Sequence, residues 1–352
     1  MKKILIIQNK RIGDVLISSV IANNFKQKYP TSLVHFMCYD FTIGVLENNP
    51  NIDKIIAVKE KELKKLKNLY QFIKQIRAEK YDIIFDPYSK TQSRIICKFS
   101  GATKTVGHKS RKKFSDFGYY TYPVELLKHK TNICGKAIED RIHLLTTVEP
   151  FETIDYEPHL FLTESEKNTT FFKITTQKTI VLSILGSTPQ KSMPYEYVAK
   201  ISDYLIENYQ VRLIFNYAPN QKKEAEKIFN LCVHQKNILI DVYAHSIRDF
   251  VVLMNQCDAL IGNEGGSVHI AKALQKPTFT IFSPYVNKDH WASFEDGIFH
   301  QSVHLIEEKP ELYSEFTFKN RKKIEEDPSE MYAQLTPEMI IPKINHFMSC
   351  NL

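Results

Sequence analysis

The chain has 352 residues, of which 43% are hydrophobic and 25% are charged. This length allows two domains of ordinary size, and the composition is globular and argues against a disordered chain. The net charge of +7 favours anionic partners. No apolar run reaches the roughly 20 residues of a membrane span, and Ile4–Ile7 is too short for the apolar part of a signal peptide.

The first half alternates between strand and helix patterns. Such alternation is typical of a parallel sheet covered by helices on both faces. The predicted strands are Ile4–Ile7, Leu33–Tyr39, Ile52–Val58 and Tyr81–Phe85, and the predicted helices are Val15–Lys28, Lys59–Lys80 and Ser93–Phe99.

Two stretches of this half are strongly basic. Lys59–Lys80 has apolar residues at helical spacing, which favours a solvated amphipathic helix over a binding surface. Lys104–Lys113 has no such stripe and contains a glycine, so we interpret it as a basic loop and a candidate binding segment. A nucleic-acid partner has only charge in its favour, because no helix-turn-helix or aromatic-interleaved pattern accompanies these stretches.

The second half repeats the alternation after Glu149–Thr163, a segment with two prolines and no periodicity that we interpret as a linker. From Glu325 onward, prolines separate short helical patches. The predicted strands are Thr179–Leu185, Val211–Phe215, Ile238–Asp241, Asp258–Ile261 and Thr278–Phe282, and the predicted helices are Tyr195–Glu207, Gln221–Cys232, Ile247–Gln256 and the segment after Gly265-Gly266.

The cysteines indicate a reducing environment. All six are scattered, and no two have CxxC spacing. This distribution argues against a zinc or redox site and favours the cytoplasm over a disulfide-forming compartment.

The most informative segment is Gly262–Leu274, which has the pattern of a strand end, a glycine turn and a helix. Adjacent glycines let backbone amides approach a ligand, and the positive end of the following helix favours a phosphate. The alternative is that the glycines serve backbone shape alone. Glu264 and His269, which flank them, favour a binding site.

Two other loops follow predicted strands and carry reactive side chains. Asp14 ends the loop after the first strand; alone it is better interpreted as a helix N-cap, and the alternative is a general base. Ser187 and Lys191 lie in the loop Gly186–Pro194, where small hydroxyls and a lysine suit diphosphate oxygens, although an exposed loop lysine is the simpler interpretation. His290 and Trp291 follow the last predicted strand, and packing is the simpler role for the tryptophan.

Together these loops resemble glycosyltransferase family 9, the bacterial lipopolysaccharide heptosyltransferases. The similarity rests on motifs in one order, of which the last is the most specific. They are Ile4–Ile7 with Ile12-Gly13-Asp14-Val15-Leu16, then Lys191-Ser192-Met193-Pro194, then Glu264–Leu274 with Lys276-Pro277-Thr278 and Phe282-Ser283-Pro284.

The resemblance implies a GT-B fold, in which two Rossmann-like domains with parallel sheets face a central cleft. We expect an acceptor-binding domain over residues 1–158, a nucleotide-sugar-binding domain over 159–325 and a helical tail over 326–352 that packs back on the N-terminal domain. The implied activity is inverting, metal-independent transfer of a heptose or related sugar from an ADP-sugar to a lipopolysaccharide or lipooligosaccharide inner-core acceptor. The expected location is the cytoplasm, with transient contact at the inner face of the inner membrane.

The resemblance also implies roles for individual residues. Asp14 becomes the general base, and no metal, cofactor or nucleic acid is expected. Glu264 departs from the aspartate common in the family, so the donor sugar can differ; the alternatives are a transferase for another nucleotide sugar or a non-catalytic nucleotide- or glycan-binding protein. The predicted donor-binding residues are Ser187, Lys191, Glu264, Gly265, Gly266, Ser267 and His269, and the predicted acceptor-binding residues are Lys10, Arg11, Lys109, Arg111, Lys112 and Lys113.

Overall fold

The computed structural model describes residues 1–110, 118–314, 322 and 324–352. Two compact units divide the chain, Met1–Leu162 and Thr163–Leu352, whereas the sequence prediction placed the boundary after residue 158. Each unit is built on one parallel sheet with helices between its strands. No helix in the described part of the chain is long and apolar enough to cross a bilayer.

The first unit has a six-stranded parallel sheet in the order β3-β2-β1-β4-β5-β6. Its central strand is apolar on both faces, since residues 4–7 are fully buried, as expected for a parallel strand covered on both sides. The strands are β1 Lys3–Ile7, β2 Leu33–Tyr39, β3 Lys54–Val58, β4 Ile83–Asp86, β5 Lys104–His108 and β6 Tyr122–Val124. The helices are α1 Ile12–Lys28, α2 Glu60–Leu63, α3 Leu66–Ala78, α4 Thr91–Phe99 and α5 Lys136–Val148.

The basic segment Lys104–Lys113 is not a loop throughout, which corrects the sequence prediction. Lys104–His108 forms β5, which pairs with β4 on one side and β6 on the other. Thr105 and Val106 are buried there, so the backbone hydrogen bonds of two neighbouring strands outweigh the local charge and glycine. Residues 111–117 lie outside the described part of the chain.

Helix α5 has no counterpart among the predicted elements, although Ile138, Ile142 and Leu145 have helical spacing and are buried. It packs against α1. Residues 149–163 contain neither helix nor strand. This predicted linker is held against α1 by the Asn24 side chain, which donates to the Asp155 carbonyl at 2.7 Å and accepts from the Asp155 amide at 2.8 Å, and by Lys28, which donates to the Pro150 carbonyl.

The second unit has a five-stranded parallel sheet in the order β11-β10-β9-β7-β8. The prediction of a strand over Ile238–Asp241 is wrong, because only an isolated bridge joins Ile238 to Leu213 beside the edge strand. The strands are β7 Thr179–Ser183, β8 Arg212–Asn216, β9 Ala259–Asn263, β10 Thr278–Ile281 and β11 His300–Val303. The helices are α6 Glu164–Lys167, α7 Tyr195–Tyr209, α8 Lys222–Leu231, α9 Ile247–Asn255, α10 Gly266–Ala273, α11 Lys288–Trp291, α12 Leu305–Glu308, α13 Ser329–Gln334 and α14 Pro337–Asn351.

The C-terminal helices α13 and α14 complete the core of the second unit. The Phe347 ring lies 5.9 Å from that of Phe279 on β10, and Asn345 accepts hydrogen bonds from Tyr204 and Tyr209 of α7 at 2.9 Å each. The apolar face of these helices is buried against the second sheet. The expectation that residues 326–352 pack back on the N-terminal domain stays a prediction.

Candidate active site

Asp14 lies in the first turn of α1, at the carboxyl end of β1. The N-cap of this helix is Arg11, whose side chain makes no capping hydrogen bond, so the N-cap interpretation of Asp14 is wrong. Asp14 is 7% exposed, and its Oδ1 lies 3.1 Å from both Lys10 Nζ and Arg141 Nη2. A buried carboxylate is thus held by two cations.

Arg141, on α5, is the partner that the sequence prediction missed. Its Nε donates to Ser18 Oγ at 2.8 Å and its Nη1 to the Ala137 carbonyl at 2.6 Å. Burial lowers the pKa of Arg141, while the charges of Asp14 and Asp140 oppose that shift. Helical spacing in α5 would have revealed the helix, but no local signal joins residues 127 positions apart.

Two further titratable groups are buried at the carboxyl ends of the first sheet. Asp86 ends β4 and accepts from the Tyr120 hydroxyl at 2.7 Å and the Ser89 amide at 2.9 Å. Burial raises the pKa of Asp86 to about 6. Burial also lowers the pKa of His108, at the end of β5, to about 4. This edge of the first sheet therefore favours neutral groups unless a charge is paired.

The predicted acceptor-binding residues are only partly brought together. Lys10 contacts Asp14, whereas Arg11 is exposed at the start of α1. Lys109 pairs with Glu125 at 3.2 Å. Arg111, Lys112 and Lys113 lie outside the described residues.

In the second unit, β9 leads directly into the glycine turn. Gly262 has φ 131°, and a Cβ at this position would overlap the Ser183 carbonyl on β7. The close approach of these strands continues into α10, where Ser267 Oγ lies 2.9 Å from Ser183 Oγ. Asn216 Nδ2 donates to the same Ser183 hydroxyl at 3.2 Å. These contacts fix the start of α10 over the carboxyl ends of β7 and β8.

The N-terminus of α10 has no side-chain cap. Gly265 occupies the N-cap position without a capping hydrogen bond, and a Cβ there would meet nothing within 4 Å. Outside the helix itself, no backbone partner within the described ranges accepts from the amides of Gly265, Gly266 or Ser267. The first N–H groups of a helix lack intrahelical partners, so this turn offers donors and a positive dipole end to an anion.

The loop after β7 places Lys191 at the same edge of the sheet. A Cβ on Gly186 would overlap the Lys191 carbonyl, so glycine is required for this tight turn. The Gly186 amide donates to Ser192 Oγ at 2.9 Å. Lys191 is half-buried, with Nζ 4.7 Å from the centre of the Tyr285 ring, whereas Ser187 is exposed. The lysine is therefore supported by an aromatic ring that follows β10.

Glu264 and His269 lie on either side of the α10 start. The Glu264 amide donates to the Ile281 carbonyl at 3.1 Å, and its side chain is half-buried. Burial, and to a smaller extent the Glu264 carboxylate, raises the pKa of Tyr332 on α13. The His269 ring lies 6.0 Å from that of Trp291, edge to face. The tryptophan thus packs on the helix that carries the glycine turn.

An aromatic pocket of about 580 Å³ lies beside this edge. Tyr217, directly after β8, stacks on Tyr243 with the ring centres 5.1 Å apart. Tyr243 Oη is buried and has no hydrogen-bond partner in the described part of the chain. Lys222, Glu226, Asp241 and His245 add polar groups to the lining. The pocket has the size and the aromatic walls that suit a planar heterocycle.

A sequence model of glycosyltransferase family 9 (heptosyltransferase) matches residues 69–320, more than half of the chain. The chain belongs to glycosyltransferase family 9. Lipopolysaccharide heptosyltransferase 1 of Campylobacter coli is 24% identical over 292 residues, which are 80% of this chain and 83% of the relative.

Two solved structures resemble this family 9 chain over nearly its full length. A family 9 glycosyltransferase from Veillonella parvula superposes with a TM-score of 0.80 at 18% identity, covering 99% of this chain and 97% of the other. An Escherichia coli heptosyltransferase solved with ADP superposes with a TM-score of 0.69 at 14% identity, covering 99% of each chain.

The prediction of an α/β protein of the GT-B class, built from two parallel sheets, is thereby confirmed, as is the prediction of a glycosyltransferase. In the described residues, no group of three or more His, Cys, Asp and Glu side chains is placed to hold a metal ion.

Proposed function

We propose that this enzyme transfers a heptose, or a closely related sugar, from an ADP-sugar to the inner core of a lipopolysaccharide or lipooligosaccharide, with inversion and without a metal. The observation that carries the proposal is the uncapped N-terminus of α10, which shares one sheet edge with Lys191. The names of the relatives, lipopolysaccharide heptosyltransferase and heptosyltransferase with ADP, support the choice of donor and acceptor.

The diphosphate of the donor would bind the amides of Gly265, Gly266 and Ser267. Such amides are fixed in direction before the ligand arrives, so little reorganisation is needed when charge develops on the leaving group. The Lys191 ammonium adds a positive charge at the same edge. These donors supply the stabilisation that a bound cation supplies in metal-dependent transferases.

The base of the nucleotide would occupy the aromatic pocket of Tyr217 and Tyr243. Two stacked tyrosines offer a planar face to a purine, and Asp241 and His245 add polar groups to the lining. This pocket and the amides of α10 both lie at the carboxyl edge of the sheet, where parallel α/β proteins bind nucleotides.

Asp14 would accept the proton of the attacking hydroxyl. The acceptor oxygen forms a bond to the anomeric carbon as the bond to the diphosphate breaks; ADP leaves with the bonding electron pair, and the proton moves to Asp14. A single displacement of this kind inverts the anomeric configuration. Lys10, which already contacts Asp14, would meet an anionic acceptor.

Glu264 would bind hydroxyls of the transferred sugar. Its carboxylate stands one methylene further from the backbone than that of the aspartate common in the family. This displacement changes which hydroxyls of a bound sugar the carboxylate can reach. This position is therefore where the identity of the sugar is most open.

The test is to incubate the purified enzyme with ADP-heptose and a truncated inner-core acceptor, and to follow ADP release and product mass. We expect release that depends on the acceptor, an inverted anomeric centre by NMR, and full activity in EDTA. UDP- and GDP-sugars serve as donor controls. Transfer from one of these instead would refute the ADP-sugar donor, and loss of activity in EDTA would refute metal independence. Cytoplasmic location and membrane contact stay predictions.

A further inference from the structure

The base proposed for the reaction shares its site with a buried guanidinium to which no role has been given. We propose that Arg141 is a positioning residue for transfer: it fixes the Asp14 carboxylate so that one oxygen stays available for the proton of the acceptor. This inference rests on the proposed function, in which Asp14 is the base.

The guanidinium is held on three sides. It donates to Asp14 Oδ1 at 3.1 Å, to Ser18 Oγ at 2.8 Å and to the Ala137 carbonyl at 2.6 Å. Asp14 and Ser18 lie one turn apart on α1, and the Ser18 hydroxyl donates in turn to the Asp14 carbonyl at 2.7 Å. The planar fork of an arginine is suited to such fixed geometry. Arg141 thus joins α5 to the turn of α1 that carries the base.

The two carboxylate oxygens of Asp14 have different surroundings. Oδ1 receives both cations, Lys10 and Arg141. Oδ2 accepts no hydrogen bond from any residue that the structure describes. The Lys10 side chain is 44% exposed and that of Arg141 only 8%. Exposed ion pairs contribute little, so Arg141 is the partner that fixes the carboxylate, and Oδ2 remains to accept a proton.

The other carboxylate near Arg141 is already engaged. Asp140 accepts from Lys136 at 2.7 Å through Oδ2 and from the Leu127 amide at 2.9 Å through Oδ1. The nearby His108 is kept neutral, because burial lowers its pKa to about 4. Arg141 is therefore the buried cation that is directed at Asp14.

A buried arginine in the second unit shows what a structural role looks like. Arg212 donates to the Lys173 carbonyl and to Thr179 Oγ1, both at 2.8 Å, and it contacts no carboxylate among the described residues. It lies at the amino end of β8, away from the predicted donor site. A buried charge costs desolvation free energy, and apolar residues often replace one without loss of stability. The carboxylate partner is what distinguishes Arg141.

The test compares Arg141→Lys with Arg212→Lys. Each variant keeps the positive charge but replaces the planar guanidinium with an ammonium, which cannot make the same set of directed hydrogen bonds. For Arg141→Lys we expect kcat for transfer to fall by roughly 10- to 100-fold, since a small misplacement of a reacting group costs about that much, while KM for ADP-heptose stays within about twofold. For Arg212→Lys we expect kcat to stay unchanged. We expect the melting temperatures of the two variants to fall by similar amounts.

A second pair of variants tests the same contact without changing a charge. Ser18→Ala removes the hydroxyl that holds Nε of Arg141, and Ser19→Ala removes a buried hydroxyl on the same helix that donates only to the Leu16 carbonyl. We expect kcat to fall by about 3- to 10-fold in Ser18→Ala, less than the full worth of a charge-assisted hydrogen bond, because the guanidinium keeps its contacts with Asp14 and the Ala137 carbonyl. We expect kcat to stay unchanged in Ser19→Ala.

The outcomes separate the inference from the proposed function. If the wild type transfers heptose and Asp14→Asn does not, but Arg141→Lys and Ser18→Ala keep normal kcat, positioning by Arg141 is refuted and the proposed function stands. Equal losses of kcat in the two arginine variants would also refute it. A wild type that transfers no heptose would refute the proposed function and the inference together.

Discussion

The two units share one architecture but treat the polar groups at the ends of their strands in opposite ways. In the first unit the titratable side chains of Asp14, Asp86 and His108 are buried. In the second, the start of α10 is uncapped and half-buried, and Lys191 is also half-buried. The carboxyl edges of the two sheets therefore offer different environments within one chain.

The difference follows from what each site must do in the proposed reaction. A base needs a fixed position and a controlled environment, which burial and ion pairing supply. A diphosphate needs several donors and room to enter, which an uncapped helix and two glycines supply. The three predictions that follow test the two halves of this comparison.

The largest expected effect is the loss of the base. Asp14→Asn keeps the shape of the side chain but cannot accept a proton at neutral pH. We expect kcat for transfer to fall by about 10²- to 10⁴-fold, while the affinity for ADP, measured by calorimetry, stays within about twofold. The control is Asp53→Asn, which removes another ion-paired carboxylate of the first unit, one that contacts Lys26, and should leave kcat unchanged.

If Asp14→Asn kept more than about a tenth of the activity, the loss would be smaller than general-base catalysis contributes, and the base would lie elsewhere. If it lost ADP affinity as well, the division of labour between the units would be wrong. Either result would contradict the proposal that the first unit supplies the base while the second unit binds the nucleotide.

The next effect tests the second unit. Lys191→Ala should weaken ADP binding by roughly 10- to 100-fold, which corresponds to one charge-assisted hydrogen bond. The matched control is Lys178→Ala, at the amino end of β7, where the lysine pairs with Asp258 at 3.0 Å. ADP affinity should be unchanged in the control. Equal losses in both variants would show that net charge, and not the position of Lys191, attracts the nucleotide.

The candidate site residues that sequence reasoning proposed are those that a short segment encodes. The glycine turn and its helix, the Gly186–Lys191 loop and Asp14 after the first strand each depend on neighbours along the chain. A phosphate-binding turn needs glycines and a helix start in one order. The local sequence pattern is therefore enough to propose these residues.

What the sequence did not show depends on distant partners. The contact between Asp14 and Arg141 joins two helices, and Lys104–His108 becomes a strand because β4 and β6 pair with it on both sides. The tail packs on the second unit because its apolar face completes that core. Tertiary contacts decide such cases, and local propensity is a weak guide to them.

The smallest expected effect concerns the burial of charge in the first unit. Burial raises the folded-state pKa of Asp86 to about 6, whereas an unfolded chain has a value near 4. The folded state therefore binds the proton more tightly, so this contribution to stability is full below about pH 4 and is lost as the pH rises through about 6. A shift of this size corresponds to about 3 kcal/mol.

Asp86→Asn should abolish that dependence. We expect the free energy of unfolding of the wild type, minus that of the variant, to fall by about 2–3 kcal/mol between pH 4 and pH 7.5 in urea titrations. His108 titrates in both proteins, so its opposite contribution cancels in the difference. For Asp53→Asn, the free energy of unfolding of the wild type minus that of the variant should instead rise between pH 4 and pH 7.5. The reason is that contacts with the Val34 amide and Lys26 lower the pKa of Asp53 against the effect of its burial. If the difference in the free energy of unfolding between the wild type and Asp86→Asn did not change with pH, a charged Asp86 would be no less stable at the end of β4 than in water. The first unit would then owe its contrast with the second to the ion pair of Asp14 and Arg141 instead of a general exclusion of unpaired charge.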